Sequence, residues 1–554
     1  MSNRTESLRK SAGLVLLVVA LVLASYGAAI FGGFVADDFD ILSRVSRGGP
    51  FGIWSSHGSN FFRPMFSLSL YYDQAVWGLE SIPLHARNLG LHALTALLVG
   101  YATTLLVRDP AAKEDGLALG AAAAVLFATL PSHLEPVAWI SGRGDLLVGV
   151  FCSGALILAV MYLRGAHWRT LVGSGAATTA ALLTKEAALT FPVTLIGLAI
   201  VYPRMMPRVT VARRWRGVTA MMLGVTLGYV ALRLGVVGRM IGGYGASVHT
   251  RFDLEVLGKL FLYFPSRIVF PGIGTTSIGG TLVPLNFIPL GVVAAIAAFA
   301  LFRGRHTGTA RIALGCILAM WGALLPVANL SVVADTSEGT RFLYLPSVFL
   351  VIGLVSALGS ALPRRTLVVT TIVVGVLGTA YNATTSQNWR RAGETAEKVV
   401  AEVAAVRAER IWVLTVPDNY GGAYCLRNGL ETGVWLFGDD DRPERVMPLL
   451  LLSGDEEPEV TRSARGRYVV GGLVSPDLGI HERRLSNEEA ALVHMTRLED
   501  GSVTVSIDLS DGDAVLYVKS GEVVTLDGST LPSPGSPRTG SPSGSHPGLP
   551  GSDG

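Results

Sequence analysis

Stretches of apolar residues long enough to cross a hydrocarbon core, roughly 17–25 residues each, recur along this chain and constrain it more than any other feature. They lie near 12–31, 86–107, 117–131, 144–163, 170–184, 187–202, 217–236, 284–302, 311–328, 342–362 and 366–382. Half of the 554 residues are hydrophobic and only 16% are charged, against roughly 25% in a soluble domain. The chain therefore reads as an α-helical polytopic membrane protein of about eleven transmembrane helices. Arg4, Arg9 and Lys10 precede the first run. That run exceeds the roughly 7–15 residues of a signal-peptide core, so it is expected to stay as the first helix. Cys152, Cys316 and Cys425 supply no disulfide framework.

Short basic loops mark the cytoplasmic side. PRMMPRVTVARRWR (203–216) holds five arginines and RGRHTGTAR (303–311) three; the N-terminus, the 164–169 link and LPRR near 363 are also basic. These fall on one side only if the apolar segment 254–271, interrupted by Pro265, Arg267 and Pro271, does not span. It is expected as a re-entrant or interfacial helix. The N-terminus is then cytoplasmic in an inner (plasma) membrane. Segments 32–85, PSHLEPVAWISGRGD (131–145), TKE (184–186) and SVVADTSEGTR (331–341) lie outside.

After 383 the composition turns polar. Residues 391–409 read as an amphipathic helix, and IWVLTV, RYVVGGLV, SVTVSIDL and AVLYVKS as strands. The expected division is a membrane domain over 1–384, a small mixed α/β or β-rich periplasmic (extracytoplasmic) domain over 385–526, and a disordered tail over 527–554. Twenty of the last 27 residues are Gly, Pro or Ser, a composition that buries no core.

The polar groups of the outer segments are the candidates for chemistry, because ionisable residues at membrane depth are costly to keep. FVADDFD (34–40) places Asp37 and Asp38 at a membrane edge, with Asp40 expected to be solvated. Trp54, Phe61, Phe62, Phe66, Tyr71, Tyr72 and Trp77 suit an interfacial loop around them. In that loop Arg63 is either a phosphate ligand or a snorkelling side chain. His85, Asn88 and His92 share one helical face; interior hydrogen bonding is favoured there over a metal. His133, Glu135, Arg143 and Asp145 crowd one short loop, as acceptor, metal or phosphate ligands or as a hydrogen-bonded plug. Lys185 and Glu186 either pair with each other or face a lipid phosphate. Arg341 is a further phosphate candidate. Carboxylates and cations on one face suit a hydroxyl attacking a phosphate-activated sugar: an acid takes the acceptor proton and the cations steady the leaving phosphate.

The ordered succession FVADDFDIL, FFRPMFSLSLYYDQAVWG, LHARNLGLHALTALLV, LPSHLEPVAWISGRGDLL, LLTKEAALTFPV and TRFLYLPSV resembles the membrane region of the transmembrane-and-tetratricopeptide-repeat O-mannosyltransferases and their bacterial relatives. These belong to the GT-C glycosyltransferases. The resemblance implies a GT-C type fold, a polyprenyl-phosphate sugar donor (mannose in that family), inversion at the anomeric carbon, and an aspartate base in the first outer loop. Asp37 matches the base and Asp38 its acidic neighbour, whose charge would raise the pKa of Asp37; Ala36 stands where Phe is common. Arg63, His133, Glu135, Arg143, Lys185, Glu186 and Arg341 match the family only as motif positions. Our own reading sets Arg63, Arg143, Lys185 and Arg341 toward the donor phosphate, and His133, Glu135, Glu186, His85 and His92 toward the acceptor or the loop. Some members of the class use a divalent cation and others do not. The tetratricopeptide array is absent, and VPDNYGGAYCLRNGL (416–430) resembles a segment in outer domains of bacterial membrane glycosyltransferases. The acceptor thus stays open among a protein, a lipid and a glycan. Membrane lipid is an expected partner and nucleic acid is not.

Two other classes compete. A transporter or flippase of lipid-linked sugars would carry inverted repeats and midplane charges, and neither is seen. A non-catalytic scaffold leaves the acid and cation clusters unexplained.

Overall fold

Among the described residues a helix occupies most of each of the eleven apolar runs, as a backbone surrounded by lipid requires. The structure is a computed structural model that describes residues 2–52, 54, 61–107, 116–205, 214–239, 253–271, 275–278, 281–284, 287–304, 308–330, 332–333, 336–438, 445–453, 456–473 and 487–528. Most of the 203–216 loop and nearly all of the expected tail lie outside these residues.

Helix α1 (Ser2–Tyr26) is followed by two helices of the outer loop, α2 (Asp37–Gly52) and α3 (Pro64–Trp77). Next come α4 (Ser81–Val107), α5 (Gly116–Thr129), the short α6 (Leu134–Ala138) and α7 (Arg143–Leu163). They lead to α8 (Trp168–Leu182), α9 (Phe191–Met205) and α10 (Arg214–Val237). The 254–271 segment is broken into α11 (Leu254–Gly258), a π-helical turn and α12 (Phe264–Val269). A hairpin of β1 (Thr275–Ile278) and β2 (Thr281–Pro284) precedes α13 (Phe287–Gly304), α14 (Gly308–Leu324), α15 (Tyr344–Ala361) and α16 (Arg364–Ala404). Among the described residues seven helices are long and apolar enough to cross a membrane, or eight if α5 and α6, bent by 54°, form one span. Helices α8, α9 and α13 do not meet that measure, so the expected eleven spans are not all established by it.

Small residues bring these helices together. A Cβ on Gly100 of α4 would sit 2.6 Å from the Gly120 carbonyl of α5, and one on Gly120 would sit 2.5 Å from the Gly100 carbonyl. Only glycine permits that backbone approach. Helix α15 lies at the centre of the bundle, whereas α16 keeps Val369, Ile372, Val373, Val376 and Leu377 exposed, an apolar stripe suited to lipid.

Helix α16 runs 41 residues without a break, so the boundary expected at 384 falls inside it. Its first half is apolar and its second half is the amphipathic segment, whose Val399, Val400 and Val403 are buried. They face a mixed sheet built from β3 (Ile411–Tyr420), β4 (Ala423–Tyr424), β5 (Val446–Ser453), β10 (Ala514–Lys519) and β11 (Glu522–Asp527). Strand β3 is central and parallel to both β5 and β10. Side chains alternate across a strand. Ile411, Val413 and Val416 of β3 join the core shared with α16 and with α17 (Leu430–Phe437), while Trp412 and Leu414 face a second core. That second core is closed by an antiparallel sheet of β6 (Glu459–Ala464), β7 (Arg467–Gly471), β8 (Val493–Arg497) and β9 (Val503–Ile507), in the order β6-β7-β9-β8. The four strands expected from sequence lie in β3, β7, β9 and β10. The fold class is as expected: a helical membrane region with a C-terminal mixed, strand-rich domain.

Candidate functional site

The acid loop is an ordered turn. Ala36 takes a left-handed φ of 45° and α2 starts at the next residue, with Asp37, Asp38 and Asp40 in its first turn, where carboxylates suit the helix dipole. Asp38 reaches back so that Oδ2 accepts the Val35 N–H at 3.1 Å. Its Oδ1 accepts the Ser141 N–H at 2.8 Å and the Ser141 hydroxyl at 2.5 Å. Asp38 is buried, and burial pushes its carboxyl up to about 7 against the pull of these three hydrogen bonds, with the Asp37 charge adding to the rise. Asp37 is half-buried, and its Oδ1 accepts a hydrogen bond from Asn428 Nδ2 at 2.6 Å. Asp40, expected to be solvated, is half-buried and accepts the Thr432 hydroxyl.

Four elements hold this loop. His85 of α4 lies 3.4 Å from the Gly33 carbonyl through Nε2. Phe34 N–H donates to Glu397 of α16 at 3.3 Å. Ser141 comes from the 131–145 segment. Ala36 N–H donates to the Cys425 carbonyl of the C-terminal domain at 2.7 Å.

The 131–145 segment is a buried plug; every residue from 131 to 140 is buried. Glu135 is fully buried and saturated. Oε2 accepts Arg341 N–H at 2.9 Å and the Thr340 hydroxyl at 3.4 Å, and Oε1 accepts Arg341 Nη1 and, at 3.0 Å, the Tyr424 hydroxyl. Arg341 Nη1 also donates to Tyr424 Oη at 2.8 Å, and its guanidinium lies 5.0 Å from the Trp139 ring. Burial, with the charge of Glu135, pushes the Tyr424 phenol well above its ordinary value, so it stays a donor. His133 and His92 face an aromatic cluster. His133 bonds Ser347 Oγ at 2.7 Å and Phe127 O at 3.0 Å; His92 bonds Tyr344 Oη at 2.8 Å and Ala128 O at 3.2 Å. Their rings lie 5.2 Å apart, edge to face.

The cations divide by their partners. Arg143 is fully buried and donates to Asp73 at 2.5 Å, Asn88 Oδ1 at 3.0 Å and the Leu84 carbonyl at 2.9 Å. Its fork is consumed in joining α3, α4 and α7. Lys185 binds Asp145 at 2.5 Å and lies 5.5 Å from the Phe342 ring. Neighbouring Glu186 receives Arg63 at 2.7 Å and Arg233 at 3.3 Å. Two arginines thus share the Glu186 carboxylate. Lys185 and Glu186 therefore look to different partners and not to each other. A Cβ on Gly144 would lie 3.6 Å from Phe66 and 3.7 Å from Lys185, which brings the α3 end and the 184–186 turn to the plug.

Among the described residues no group of three or more His, Cys, Asp or Glu side chains is disposed to hold a metal ion. Sequence reasoning passed over Asp73, Ser141, Arg233, Tyr424 and Asn428. A buried arginine in an apolar run was the available signal for Arg233; the others carry none in isolation.

No protein-family model matches the chain. It is 31% identical over 235 residues to the protein O-mannosyl-transferase TMTC1 of Homo sapiens, a match covering 36% of this chain and 25% of that protein. It is 24% identical over 372 residues to the protein O-mannosyl-transferase Tmtc3 of Drosophila melanogaster, covering 53% of this chain and 38% of the relative. The match thus spans about a quarter of the first relative's length. The structure of ArnT from Cupriavidus metallidurans in the apo state superposes with a TM-score of 0.47 at 14% identity, covering 90% of this chain and 98% of that one. The resemblance carried by the ordered motifs is borne out by the curated relatives.

Proposed function

We propose that this chain is a membrane glycosyltransferase that moves a sugar from a polyprenyl-phosphate donor to an acceptor hydroxyl, with Asp37 as general base. The observation that carries the reading is the arrangement of the acid pair. Asp38 is buried and spent on three protein hydrogen bonds, which leaves half-buried Asp37 as the acid that can meet a substrate.

Asp37 takes the proton as the acceptor oxygen attacks the anomeric carbon from the face opposite the phosphate. The bond from that carbon to the phosphate oxygen breaks, the configuration inverts, and the phosphate leaves with the electron pair. The cations Arg63 and Arg233, which share Glu186, and Lys185 beside them are the groups read toward the charge gathering on that phosphate. Arg143 acts at one remove, by fixing the plug that carries Ser141. Glu135 and Arg341 pair with each other and brace the plug. His85 holds the Gly33 carbonyl, and His92 and His133 brace the aromatic cluster. The names of the relatives support mannose as the sugar and a protein as the acceptor. The basic loops support a cytoplasmic N-terminus, which puts this face and the C-terminal domain on the periplasmic side.

The full chain in lipid, given labelled polyprenyl-phosphate mannose and a membrane extract, is expected to form a glycosidic product. Labelled lipid crossing liposomes without any product would contradict the reading and favour a transporter.

A further inference from the structure

We infer that the C-terminal domain completes the active site: Asn428 and Tyr424, carried on the 417–430 segment, are positioning residues for Asp37 and for the Glu135–Arg341 pair. The inference rests on the reading of Asp37 as base.

The segment is shaped to press on the membrane region. Gly429 has φ +90°, and a Cβ there would lie 2.6 Å from the Ala36 carbonyl and 3.1 Å from Phe39 Cβ. Gly422 has φ +87°, with a Cβ 2.4 Å from Thr336. Both positions need a left-handed backbone and a bare α-carbon. Between them the chain is pinned at several points. Ala36 N–H reaches the Cys425 carbonyl at 2.7 Å and Cys425 Sγ reaches the Ala392 carbonyl at 3.3 Å. Arg427 forks onto Asp418 at 2.6 Å and onto Glu338 at 2.5 Å. That leaves Asn428 little freedom.

The consequence is chemical. The Asn428 amide donates to one oxygen of Asp37, which fixes the carboxylate plane and leaves the other oxygen for the acceptor proton. On the other side of the plug, the Tyr424 hydroxyl accepts from Arg341 and donates to Glu135. A separately folding accessory domain would not need its own side chains to hold both a catalytic acid and a buried ion pair of another region.

The test uses the full chain in nanodiscs. Mannosyl transfer is measured for the wild type, Asp37→Asn, Asn428→Ala, Asn428→Ser and Tyr424→Phe, with thermal unfolding alongside. Misorienting a reacting group costs up to about 100-fold, so Asn428→Ala is expected to lower kcat at least about 10-fold with donor KM unchanged. Asn428→Ser, which keeps a donor, is expected to recover most of that loss. Tyr424→Phe, which cannot donate to Glu135, is expected to lower kcat as well. A wild-type kcat for Asn428→Ala and Tyr424→Phe, with Asp37→Asn inactive, overturns the inference and spares the base. Full activity of Asp37→Asn overturns the base reading, and the inference with it. A second readout is independent of the sugar. Carbodiimide with an amine tag, read by peptide mass spectrometry, is expected to label Asp37 several-fold more in Asn428→Ala than in the wild type or Asn428→Ser. Equal labelling in all three overturns the inference.

Discussion

At the scale of single residues, the account turns on how neighbouring acids and cations are told apart by their partners. Asp37 and Asp38 are adjacent, yet one is half-buried with an amide donor and the other is sealed under three donors. The Asp38 carboxyl, raised from 3.8 to about 7 chiefly by burial, gives a pH prediction. In that window the folded chain holds a proton that the unfolded chain has released, so stability falls as pH rises from about 4 to about 7. Asp38→Asn is expected to be less stable overall, because an amide cannot accept on both sides, but flatter across that window in thermal unfolding. Arg143 is sealed in the same way. Removing one partner of a buried pair costs about 3–5 kcal/mol, so Arg143→Met is expected to lower the unfolding temperature markedly. Arg143→Lys is not expected to restore it, because an ammonium cannot serve three acceptors held in a fork. A mild effect of Arg143→Met would place its role in substrate binding instead. The acids and cations of the site were legible in the sequence because charge is rare among apolar runs. Their pairing was not: Asp37 and Asn428 stand 391 positions apart, and Arg63 and Glu186 123.

At the scale of elements, the spans were legible because a lipid-facing helix must be apolar over its whole length. Helices α2 and α3 were not, because the 32–85 segment mixes polar and aromatic residues and gives no sustained period. The plug at 131–145 is a similar case. Its charges left a ligand-bearing loop and a hydrogen-bonded plug both open, and only tertiary partners, such as Thr340 and Arg341 for Glu135, make burial tolerable. The 416–430 segment stood out in the sequence only by its resemblance to outer domains of bacterial membrane glycosyltransferases, and the reason for its glycines lies in the contact with Ala36 and Thr336. Gly429→Ala is expected to push this segment off the acid loop, raising hydrogen exchange at 34–40 and lowering transfer at least about 10-fold. Unchanged exchange at those amides would count against the close approach.

At the scale of the whole molecule, one helix joins two chemistries. Helix α16 begins among the membrane spans and ends as a wall of the C-terminal domain, so that domain is set at a fixed place over the outer loops. The sequence marked its strands but set the boundary at 384, because the change from apolar to amphipathic composition inside one unbroken helix looks like a domain border. The candidate site draws on α2, the plug, the 184–186 turn, α10 and the 417–430 segment. The central claim is that Asp37 is the group that accepts the proton during sugar transfer. The most direct measurement is the transfer rate of Asp37→Asn in the full chain with labelled polyprenyl-phosphate mannose, beside its unfolding temperature. General-base catalysis contributes about 10²–10⁴-fold. The account predicts a loss of that size with the unfolding temperature nearly unchanged, and wild-type transfer by Asp37→Asn would contradict it.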